Sequence, residues 1–352
     1  MKNRKVLFVL GRPFSPFYGM LMSLRAFMYR VGLLRITRLD VPVISVGNIT
    51  LGGSGKTPVV QYIARLLKSC GWRPAVVSRG YGGSSKKKVN IVSSGGEPLL
   101  DANYIGDEPR LHAEALDGIP VLTGPVRRYP AKKAVELGAD IVVLDDGFQH
   151  MALGRTIDLV LFNTDKLAGN SRVFPGGDLR EPIKALRRCD GFILTGTSER
   201  NRERAESFAG LLTNRFPGCP VFIAHYTPKE IVGYSRDGKP VKLKYGRTAD
   251  MTFYGFSGIA YPENFAQTLQ EMGIHVAGFK AFPDHYSYSP NDIRDLVRFS
   301  DQAGSSALIT TQKDLVKVKG IATSISMYAV RMEAELGDDF HDFLRERLPD
   351  KA

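Results

Sequence analysis

The sequence predicts an α/β fold built on a parallel sheet, and three observations lead to this prediction. Short apolar runs without polar alternation recur along the chain, which is typical of strands buried on both faces. Amphipathic helical stretches separate several of these runs, as parallel neighbouring strands require. A glycine-rich loop follows the first run and leads directly into a helix, which is the context of a phosphate-binding loop.

Six continuous apolar runs are the predicted strands of a first lobe, at residues 41–46, 74–78, 119–122, 140–144, 157–162 and 191–195. Helical patterns lie between several of them, including 57–71 and 127–138. Near residue 231 the pattern changes, and a turn at 236–239 between two extended runs predicts a β-ribbon over 231–244. The α/β pattern then resumes, with strands at 251–256, 275–279, 307–311 and 325–330 and helices near 262–272 and 290–303.

These elements divide the chain into four predicted parts. Residues 1–39 form a basic N-terminal segment, 40–225 a P-loop NTPase-like parallel-sheet domain, 226–250 a β-ribbon linker, and 251–352 a second, smaller α/β lobe. With 352 residues, the chain is long enough for two domains with sizeable cores. Because ligands gather at the carboxyl ends of parallel strands, we expect the functional site at that edge of the first sheet.

The amino-acid composition limits the classes of protein to which this chain can belong. A hydrophobic fraction of 43% and a charged fraction of 24% are globular values. The three cysteines are far apart and show no CxxC spacing, so we expect a reducing compartment, no structural zinc and no disulfides. A net charge of +12 fits nucleic acid, a membrane surface or an anionic substrate. No basic stripe alternates with aromatic residues and no nucleic-acid module is recognisable, so no nucleic-acid partner is predicted.

The N-terminal segment combines positive charge with apolar helical spacing. Residues 1–39 contain eight lysines and arginines and no acid, and 14–34 is rich in Phe, Met, Leu and Tyr. Arg25 and Arg30 interrupt this stretch, so it lacks the run of about 20 apolar residues that crosses a bilayer. It also lacks the features of a signal peptide. The pattern predicts a basic amphipathic helix in an anionic membrane interface, and it fits equally a helix packed on the protein's own core.

The glycine-rich loop is VGNITLGGSGKTP, residues 46–58. Gly52, Gly53 and Gly55 allow backbone N–H groups to form a nest for phosphate oxygens at a helix N-terminus. Lys56 is placed to reach the terminal phosphates and the Thr57 hydroxyl to bind Mg²⁺. The usual pattern has a glycine six places before the lysine, where this chain has Thr50, and a purely structural turn is the alternative.

A second strand supplies the acid that such a loop needs for its metal. The predicted strand at 140–144 ends in Asp145 and Asp146, where a carboxylate can bind Mg²⁺ directly or through water. A solvated turn or a helix cap is the alternative for this pair.

Four further motifs have no role in a minimal P-loop protein: SRGYGG at 78–83, IGDEPRL at 105–111, FPGGDLREP at 174–182 and FPDHYSYSP at 282–290. A carboxylate and a histidine near a γ-phosphate are the groups that phosphorylation of a hydroxyl uses, because one of them takes the proton. Each motif alone also has a simple structural explanation, such as N-capping by Asp107 and Glu108.

Together these stretches resemble the tetraacyldisaccharide 4'-kinases, the lipid A 4'-kinases of bacteria with an outer membrane. The resembling motifs run from about residue 41 to 317 in the order VGNITLGGSGKTP, SRGYGG, GDEP, DDGFQH, FPGGDLREP, PDHYSYS and TTQKD. The family's loop lacks the same first glycine, so Thr50 is no departure from it.

The resemblance implies transfer of the γ-phosphate of ATP to the 4'-hydroxyl of a tetraacylated glucosamine disaccharide 1-phosphate, forming lipid IVA. It implies Mg²⁺ as the metal, two α/β lobes with the P-loop in the first, and a peripheral or monotopic position on the cytoplasmic face of the bacterial inner membrane.

The resemblance also implies roles for particular residues. Catalytic roles fall to Asp107, His285, Lys56, Asp146 and Arg180, with Asp107 and His285 activating the sugar hydroxyl. ATP contacts fall to Thr50, Leu51, Gly52, Gly53, Ser54, Gly55, Lys56 and Thr57, with Gln312 and Lys313 near the nucleoside. Metal contacts fall to Thr57, Asp145, Asp146 and Glu181, and substrate contacts to Arg79, Gln149 and His150.

Two other classes of protein stay open, and one of them, a nucleic-acid-dependent ATPase, is suggested only by the net charge of +12. P-loop regulatory or metallochaperone-type NTPase switches have similar loops, but they use a lysine across a dimer at the place where this chain has Leu51.

Overall fold

The computed structural model describes residues 2–244, 248, 251–259, 262–284, 286–321 and 323–351, with only the backbone described for 2–6 and 244. Two helices begin the chain: α1 spans Lys2–Gly11 and, after a short 3₁₀ turn at Arg12–Phe14, α2 spans Ser15–Arg30. The predicted N-terminal helix is thus present as α2. The helix α1 before it was not predicted, because its charged opening residues hide the apolar spacing.

The N-terminal helices attach to the protein through a few contacts and expose most of their apolar side chains. The Ser15 hydroxyl donates to Val173 O and accepts from Gly176 N, both at 2.8 Å. The Tyr18 ring meets the Phe174 ring edge-on at 5.6 Å. The exposed side chains are Leu7, Val9, Leu10, Phe14, Phe17, Met20, Leu21, Leu24 and Phe27. Among the described residues, no helix is both long and apolar enough to span a membrane.

The first sheet has eight strands: β1 Val43–Asn48, β2 Pro74–Ser78, β3 Asn90–Ser94, β4 Pro120–Thr123, β5 Ile141–Asp145, β6 Ile157–Asn163, β7 Gly191–Thr195 and β8 Val221–Ile223. Their order is β3-β4-β2-β5-β1-β6-β7-β8, and all neighbours are parallel except β3 and β4. The central strands are fully buried, as their unbroken apolar runs predicted. Val46 of β1 pairs with Asp145 of β5, so the ends of these two strands lie side by side.

Five helices accompany this sheet: α3 Lys56–Ser69, α4 Ala102–Ile105, α5 Asp107–Ala115, α6 Arg128–Glu136 and α7 Arg202–Arg215. Helix α3 buries Val59, Val60 and Ile63 in the core cluster that also contains Ile44 of β1. The apolar spacing of α3 therefore fixes the helix that carries Lys56 and Thr57 at its start.

The second sheet has six strands: β9 His225–Tyr234, β10 Pro240–Lys244, β11 Phe253–Ser257, β12 Val276–Ala281, β13 Ala307–Thr311 and β14 Ser326–Glu335. Their order is β10-β9-β14-β13-β11-β12. Strands β9 and β10 form the predicted ribbon, and β9 also pairs antiparallel with β14. Helices α8 Pro262–Glu271, α9 Pro290–Gln302, α10 Gln312–Val318 and α11 Asp338–Arg347 complete this part of the chain.

The last helix packs against the first lobe. The rings of Phe340 and Phe343 in α11 each lie 5.1 Å from the ring of Phe222 in β8. Tyr62 of α3 donates its hydroxyl proton to Leu336 O at 3.1 Å. By its buried contacts α11 therefore groups with the first lobe, whereas the predicted boundaries assign it to the second; the division of the chain into four parts stays a prediction.

Candidate active site

The loop between β1 and α3 has the backbone of a phosphate nest. Gly52 and Gly55 adopt positive φ values of 98° and 70°, which L side chains rarely adopt. A Cβ atom on Gly55 would lie 2.2 Å from the Tyr226 hydroxyl oxygen, so only glycine fits there. The loop runs into the N-terminus of α3, where backbone N–H groups lack helical partners and attract anions.

Position 50 does not require a glycine, because Thr50 lies in an extended segment that pairs with a neighbouring loop. It is only 6% exposed and forms an antiparallel bridge with Leu179. On either side of it, Leu51 N donates to Asp178 O and Arg180 N donates to Ile49 O, both at 2.7 Å. The FPGGDLREP motif thus serves partly to hold the first half of the phosphate loop.

Three side chains hold the carbonyl groups in the second half of the loop. The Thr195 hydroxyl donates to Ser54 O at 2.8 Å, and the Tyr226 hydroxyl donates to Gly55 O at 2.7 Å. Lys166 Nζ lies 3.4 Å from Gly53 O. Because these carbonyls are already hydrogen-bonded, the loop is organised in advance of any ligand.

Lys56, at the start of α3, faces the end of β5. Its Nζ lies 3.5 Å from Asp146 Oδ1 and 3.5 Å from Asn48 Oδ1. Arg180 Nη1 donates to Asp146 Oδ2 at 2.9 Å. Burial acts to raise the pKa of Asp146, but the charges of Lys56 and Arg180 outweigh it and lower the pKa to about 2. Asp146 therefore stays ionised across the physiological range.

Asp145 has a different environment from its neighbour. It is 1% exposed, and its Oδ2 lies 3.2 Å from Nε2 of His112 in α5. Its Oδ1 is also buried and has no hydrogen-bond partner among the described residues. Such an atom is costly to bury, which marks this carboxylate as a group suited to a further ligand.

Helix α5 brings two more carboxylates to the same place. Gly106, with φ of 95°, precedes the helix and contacts the SRGYGG loop so closely that a Cβ would lie 2.3 Å from Tyr81 O. Burial and then the charge of Asp145 raise the pKa of Glu108. Lys56 and Lys313 act on this pKa in the opposite direction. Glu108 therefore lies close enough to Lys56 for their charges to interact.

The other carboxylate of α5, Asp107, meets the second lobe. Lys317 of α10 places its Nζ 3.5 Å from Asp107 Oδ2 and 3.3 Å from Asp314 Oδ1. The Lys317 side chain is 7% exposed. Asp314 is itself fixed, since its Oδ2 accepts from Gly258 N at 2.9 Å and from the Thr311 hydroxyl at 2.8 Å. The TTQKD motif thus starts a helix that holds Asp107 from across the interface.

The structure describes the two predicted nucleoside contacts but not the predicted catalytic histidine. Gln312 and Lys313 are the first residues of α10, and Lys313 lies close enough to Glu108 to affect its charge. Their predicted contact with the nucleoside stays a prediction. His285 lies outside the described residues.

The predicted metal ligand Glu181 is held by an arginine. Arg188 Nη2 donates to both of its carboxylate oxygens, at 3.2 Å and 3.0 Å. Among the described residues, no three His, Cys, Asp or Glu side chains gather closely enough to hold a metal ion by themselves. A metal role for Glu181 stays a prediction.

The predicted substrate residues lie around the loop that follows β5. Gln149 Nε2 donates to Asn48 O at 2.9 Å, and its Oε1 lies 3.4 Å from Arg180 Nη1. Burial and the charges of nearby arginines lower the pKa of His150 to about 4. Arg79 is exposed at the end of β2, close enough to Arg127 for their charges to interact.

Comparisons with known proteins show the family to which this chain belongs. The model of the LpxK family, tetraacyldisaccharide-1-P 4'-kinase, matches residues 7–349. A tetraacyldisaccharide 4'-kinase from Desulfotalea psychrophila is 44% identical to this chain, over 98% of this chain and 97% of that protein. The chain belongs to the tetraacyldisaccharide 4'-kinase family.

Other members of the kinase family support the same conclusion. A tetraacyldisaccharide 4'-kinase from Syntrophus aciditrophicus is 39% identical, over 99% of this chain and 95% of that protein. The crystal structure of the "apo" form of LpxK from Aquifex aeolicus in complex with ATP is 31% identical, with a TM-score of 0.78 and coverage of 99% of this chain and 100% of that one. The predicted family and α/β fold class are confirmed.

Several residues of this kinase site were missed in the sequence. Glu108 was given no role of its own, with N-capping as the structural alternative for it and Asp107, although it follows Asp107 in the GDEP motif. Lys317 and Tyr226 carried no local signal, because each meets its partner from a distant part of the chain: Lys317 meets Asp107, and Tyr226 meets Gly55.

Proposed function

We propose that this chain transfers the γ-phosphate of ATP to the 4'-hydroxyl of an acylated glucosamine disaccharide 1-phosphate, forming lipid IVA. The reaction takes place at the cytoplasmic face of the bacterial inner membrane. The observation that carries this proposal is that Lys56 of the phosphate loop places its Nζ 3.5 Å from Asp146 Oδ1 at the end of β5, while Glu108 of α5 lies close enough for its charge to interact with that of Lys56.

ATP binds with its phosphates in the nest formed by residues 50–57. The positive φ values of Gly52 and Gly55 support this placement, as does the complex with ATP named for the Aquifex aeolicus relative. Lys56 neutralises the terminal phosphates, and its charge becomes more important as charge develops on the transferring group.

Mg²⁺ is the proposed metal, and the residues present fit it. Magnesium keeps near-octahedral oxygen ligation and uses one or two carboxylates together with substrate phosphates, so no closed cluster of protein ligands is needed. The buried Oδ1 of Asp145, which has no hydrogen-bond partner in the described part of the chain, supports this fit. Thr57, Asp145 and Asp146 are the proposed contacts, and Glu108 is added to them. When bound, the cation neutralises charge on the phosphate oxygens.

Asp107 is the proposed proton acceptor. The 4'-oxygen forms a bond to the γ-phosphorus, the bond from that phosphorus to the β–γ bridging oxygen breaks, and the hydroxyl proton passes to the Asp107 carboxylate. Lys317 of the second lobe holds this carboxylate in place, with its Nζ 3.5 Å from Asp107 Oδ2. Arg180, between Asp146 and Gln149, is placed to contact the transferring phosphoryl group or the sugar.

The acceptor is a lipid, and the N-terminal helices are the proposed membrane-binding segment. Their exposed apolar side chains and their arginines support this choice over the alternative of a helix packed on the core. Deleting residues 1–36 should weaken sedimentation with anionic vesicles while leaving ATP binding intact. If the truncated protein still sedimented with vesicles, the membrane-binding segment would have to lie elsewhere in the chain.

The decisive experiment incubates the purified full chain with γ-labelled ATP, Mg²⁺ and the disaccharide 1-phosphate lipid in neutral detergent micelles. The expected product is a labelled lipid bisphosphate, absent with the Lys56→Ala variant. Release of labelled inorganic phosphate without a labelled lipid would contradict the proposal and favour an NTPase switch.

A further inference from the structure

His112 is a buried polar residue of helix α5 whose side chain, among the described residues, hydrogen-bonds to Asp145 alone. The side chain is fully buried, and its Nε2 lies 3.2 Å from Asp145 Oδ2. An ionised carboxylate can only accept hydrogen bonds, so the ring donates from Nε2. Its other nitrogen, Nδ1, is buried and has no partner in the described part of the chain. Burying an unpartnered nitrogen costs free energy, so a histidine here is explained only by what it does to Asp145.

The surroundings of His112 are apolar and would suit an apolar side chain. Ile141 and Val143 lie on the same face of β5 as Asp145, because side chains alternate along a strand. Both belong to a buried apolar cluster that also contains Leu116 of α5. An apolar residue at position 112 would extend this cluster without leaving a nitrogen unpartnered. A residue that departs from the local packing pattern in this way is expected at a functional site.

The hydrogen bond from His112 makes the two oxygens of Asp145 unequal. Oδ2 is engaged by the imidazole, whereas Oδ1 is buried and has no hydrogen-bond partner among the described residues. Asp145 cannot turn both oxygens towards a cation without breaking this hydrogen bond. Ca²⁺ readily takes both oxygens of a carboxylate, whereas Mg²⁺ requires near-octahedral ligation at shorter distances. A carboxylate with one free oxygen therefore favours the smaller cation.

Helix α5 is a rigid support for this hydrogen bond, because both of its ends are held. Before the helix, Gly106 lies so close to the SRGYGG loop that a Cβ would be 2.3 Å from Tyr81 O. At the end of the helix, Ala115 O accepts from Arg331 Nη2 at 3.0 Å and from Arg65 Nη1 at 3.4 Å. Site groups that are held by rigid elements keep their geometry more precisely.

We propose that His112 is a positioning residue that sets the metal preference of the site: by holding Oδ2 of Asp145, it leaves Oδ1 as the single oxygen available to Mg²⁺ and disfavours the larger Ca²⁺. His112 is not itself a ligand, because the nitrogen that faces Asp145 carries the hydrogen. Hydrogen bonds that orient metal ligands typically change metal affinity by about 10- to 100-fold. This inference rests on the proposed function, which assigns Asp145 to the metal.

The experiment measures the Kd of a non-hydrolysable ATP analogue for the full chain by titration calorimetry, without acceptor lipid. Each Kd is determined with EDTA, with saturating Mg²⁺ and with saturating Ca²⁺. The ratio of the metal-free Kd to the Kd with metal is the metal effect. His112→Leu removes the donor, whereas His112→Gln has an amide nitrogen that can replace Nε2. His341→Leu is the matched control, since Nε2 of His341 in α11 forms a hydrogen bond with the Tyr62 hydroxyl at 2.6 Å.

In the wild type, the metal effect should be larger with Mg²⁺ than with Ca²⁺. His112→Leu should lower the Mg²⁺ effect by a factor on the order of 10, lower the Ca²⁺ effect less, and leave the metal-free Kd unchanged. His112→Gln should recover most of the Mg²⁺ effect, and His341→Leu should keep the wild-type values. Circular dichroism of each variant checks that it is folded.

Four results would overturn the inference. Equal weakening of analogue binding with and without metal in His112→Leu would show that this histidine only supports the fold. An unchanged Mg²⁺ effect would show that Asp145 does not depend on the hydrogen bond. Equal losses with Mg²⁺ and Ca²⁺ would remove the role in metal choice. A wild type without any metal effect would also overturn the proposed magnesium site. Failure of the wild type to form labelled lipid, with the metal effects as expected, would instead overturn only the proposed function.

Discussion

Two carboxylates interact with the charge of Lys56 from different elements, Asp146 from the end of β5 and Glu108 from the first turn of α5. Asp146 lies between two cations, which lower its pKa to about 2. Glu108 is buried near the negative charge of Asp145, and its pKa is raised. One carboxylate is therefore permanently ionised, whereas the other keeps its proton more readily until a cation reaches the site. Opposite shifts in neighbouring carboxyl groups are a common sign of divided roles.

The largest effect on activity is expected from removing Lys56, whose charge interacts with both Asp146 and Glu108. Lys56→Ala should lower the rate of lipid phosphorylation by a factor on the order of 10³ or more, because the terminal phosphates lose their positive partner in the transition state. The rate of labelled lipid formation measures it. Lys68→Ala, at the exposed end of the same helix, is the matched control and should keep wild-type activity. Wild-type turnover in Lys56→Ala would refute the assignment of the phosphate loop.

The next effect concerns the acid beside Glu108 on α5. Asp107→Ala and His285→Ala should each lower kcat by a factor on the order of 10² or more if they act in proton transfer. The double variant should be little worse than either single one if the two residues act as a unit. Fully additive losses would argue against a dyad of Asp107 and His285.

Exchanging the two compared carboxylates for amides should separate their roles. Asp146→Asn should lower kcat by a factor on the order of 10², because a fixed charge near the phosphates is lost. Glu108→Gln should cost only about tenfold and raise the Mg²⁺ concentration needed for half-maximal rate. As pH falls, Glu108 gains its proton before Asp146 does, so the wild-type Mg²⁺ requirement should rise in acid while that of Glu108→Gln stays flat. If Asp146→Asn and Glu108→Gln responded identically to Mg²⁺ and to pH, the two carboxylates would not have different roles.

The smallest expected effect is on the stability of the ligand-free protein. The ionised side chain of Asp146 should stabilise the fold, whereas that of Glu108 should destabilise it. The lowered pKa of Asp146 stabilises the fold above the ordinary carboxyl pKa near 3.9, and this contribution is lost as pH falls towards 2. The raised pKa of Glu108 destabilises the fold once pH exceeds its ordinary value of 4.5, and this penalty is absent in acid.

At pH 7 Glu108→Gln should therefore raise Tm, and Asp146→Asn should lower it, each by a few degrees at about 2 °C per kcal/mol for a chain of this size. The gain from Glu108→Gln should vanish by pH 4. Scanning calorimetry of the ligand-free protein measures both. A fall in Tm for Glu108→Gln at pH 7 would show that its ionised form is already compensated in the fold.

The sequence predicted the parts of the molecule whose signals are local. The strands β1, β2, β5, β6 and β7 are continuous apolar runs because both faces of the first sheet are covered, and their predicted bounds agree within a few residues. The edge strands β3 and β8 were missed, since β3 contains polar residues and β8 has only three residues. The phosphate loop and the Asp145–Asp146 pair were found because each directly follows a strand.

The rest of the site depends on contacts between distant segments. The opposite environments of Asp146 and Glu108 arise only when β5, α5 and α3 pack together. Thr50 appeared as a gap in a pattern, and only its pairing with Leu179 shows why glycine is not required there.

The packing of α11 on β8 has a consequence for the order in which the protein can fold during synthesis. The ribosome adds residues in sequence, at about 5–20 per second, and early segments often fold before late ones appear. Phe340, fully buried beside Phe222, is made only after all of the second lobe. The β8 edge of the sheet that carries the phosphate loop therefore lacks its covering helix until the second lobe has emerged.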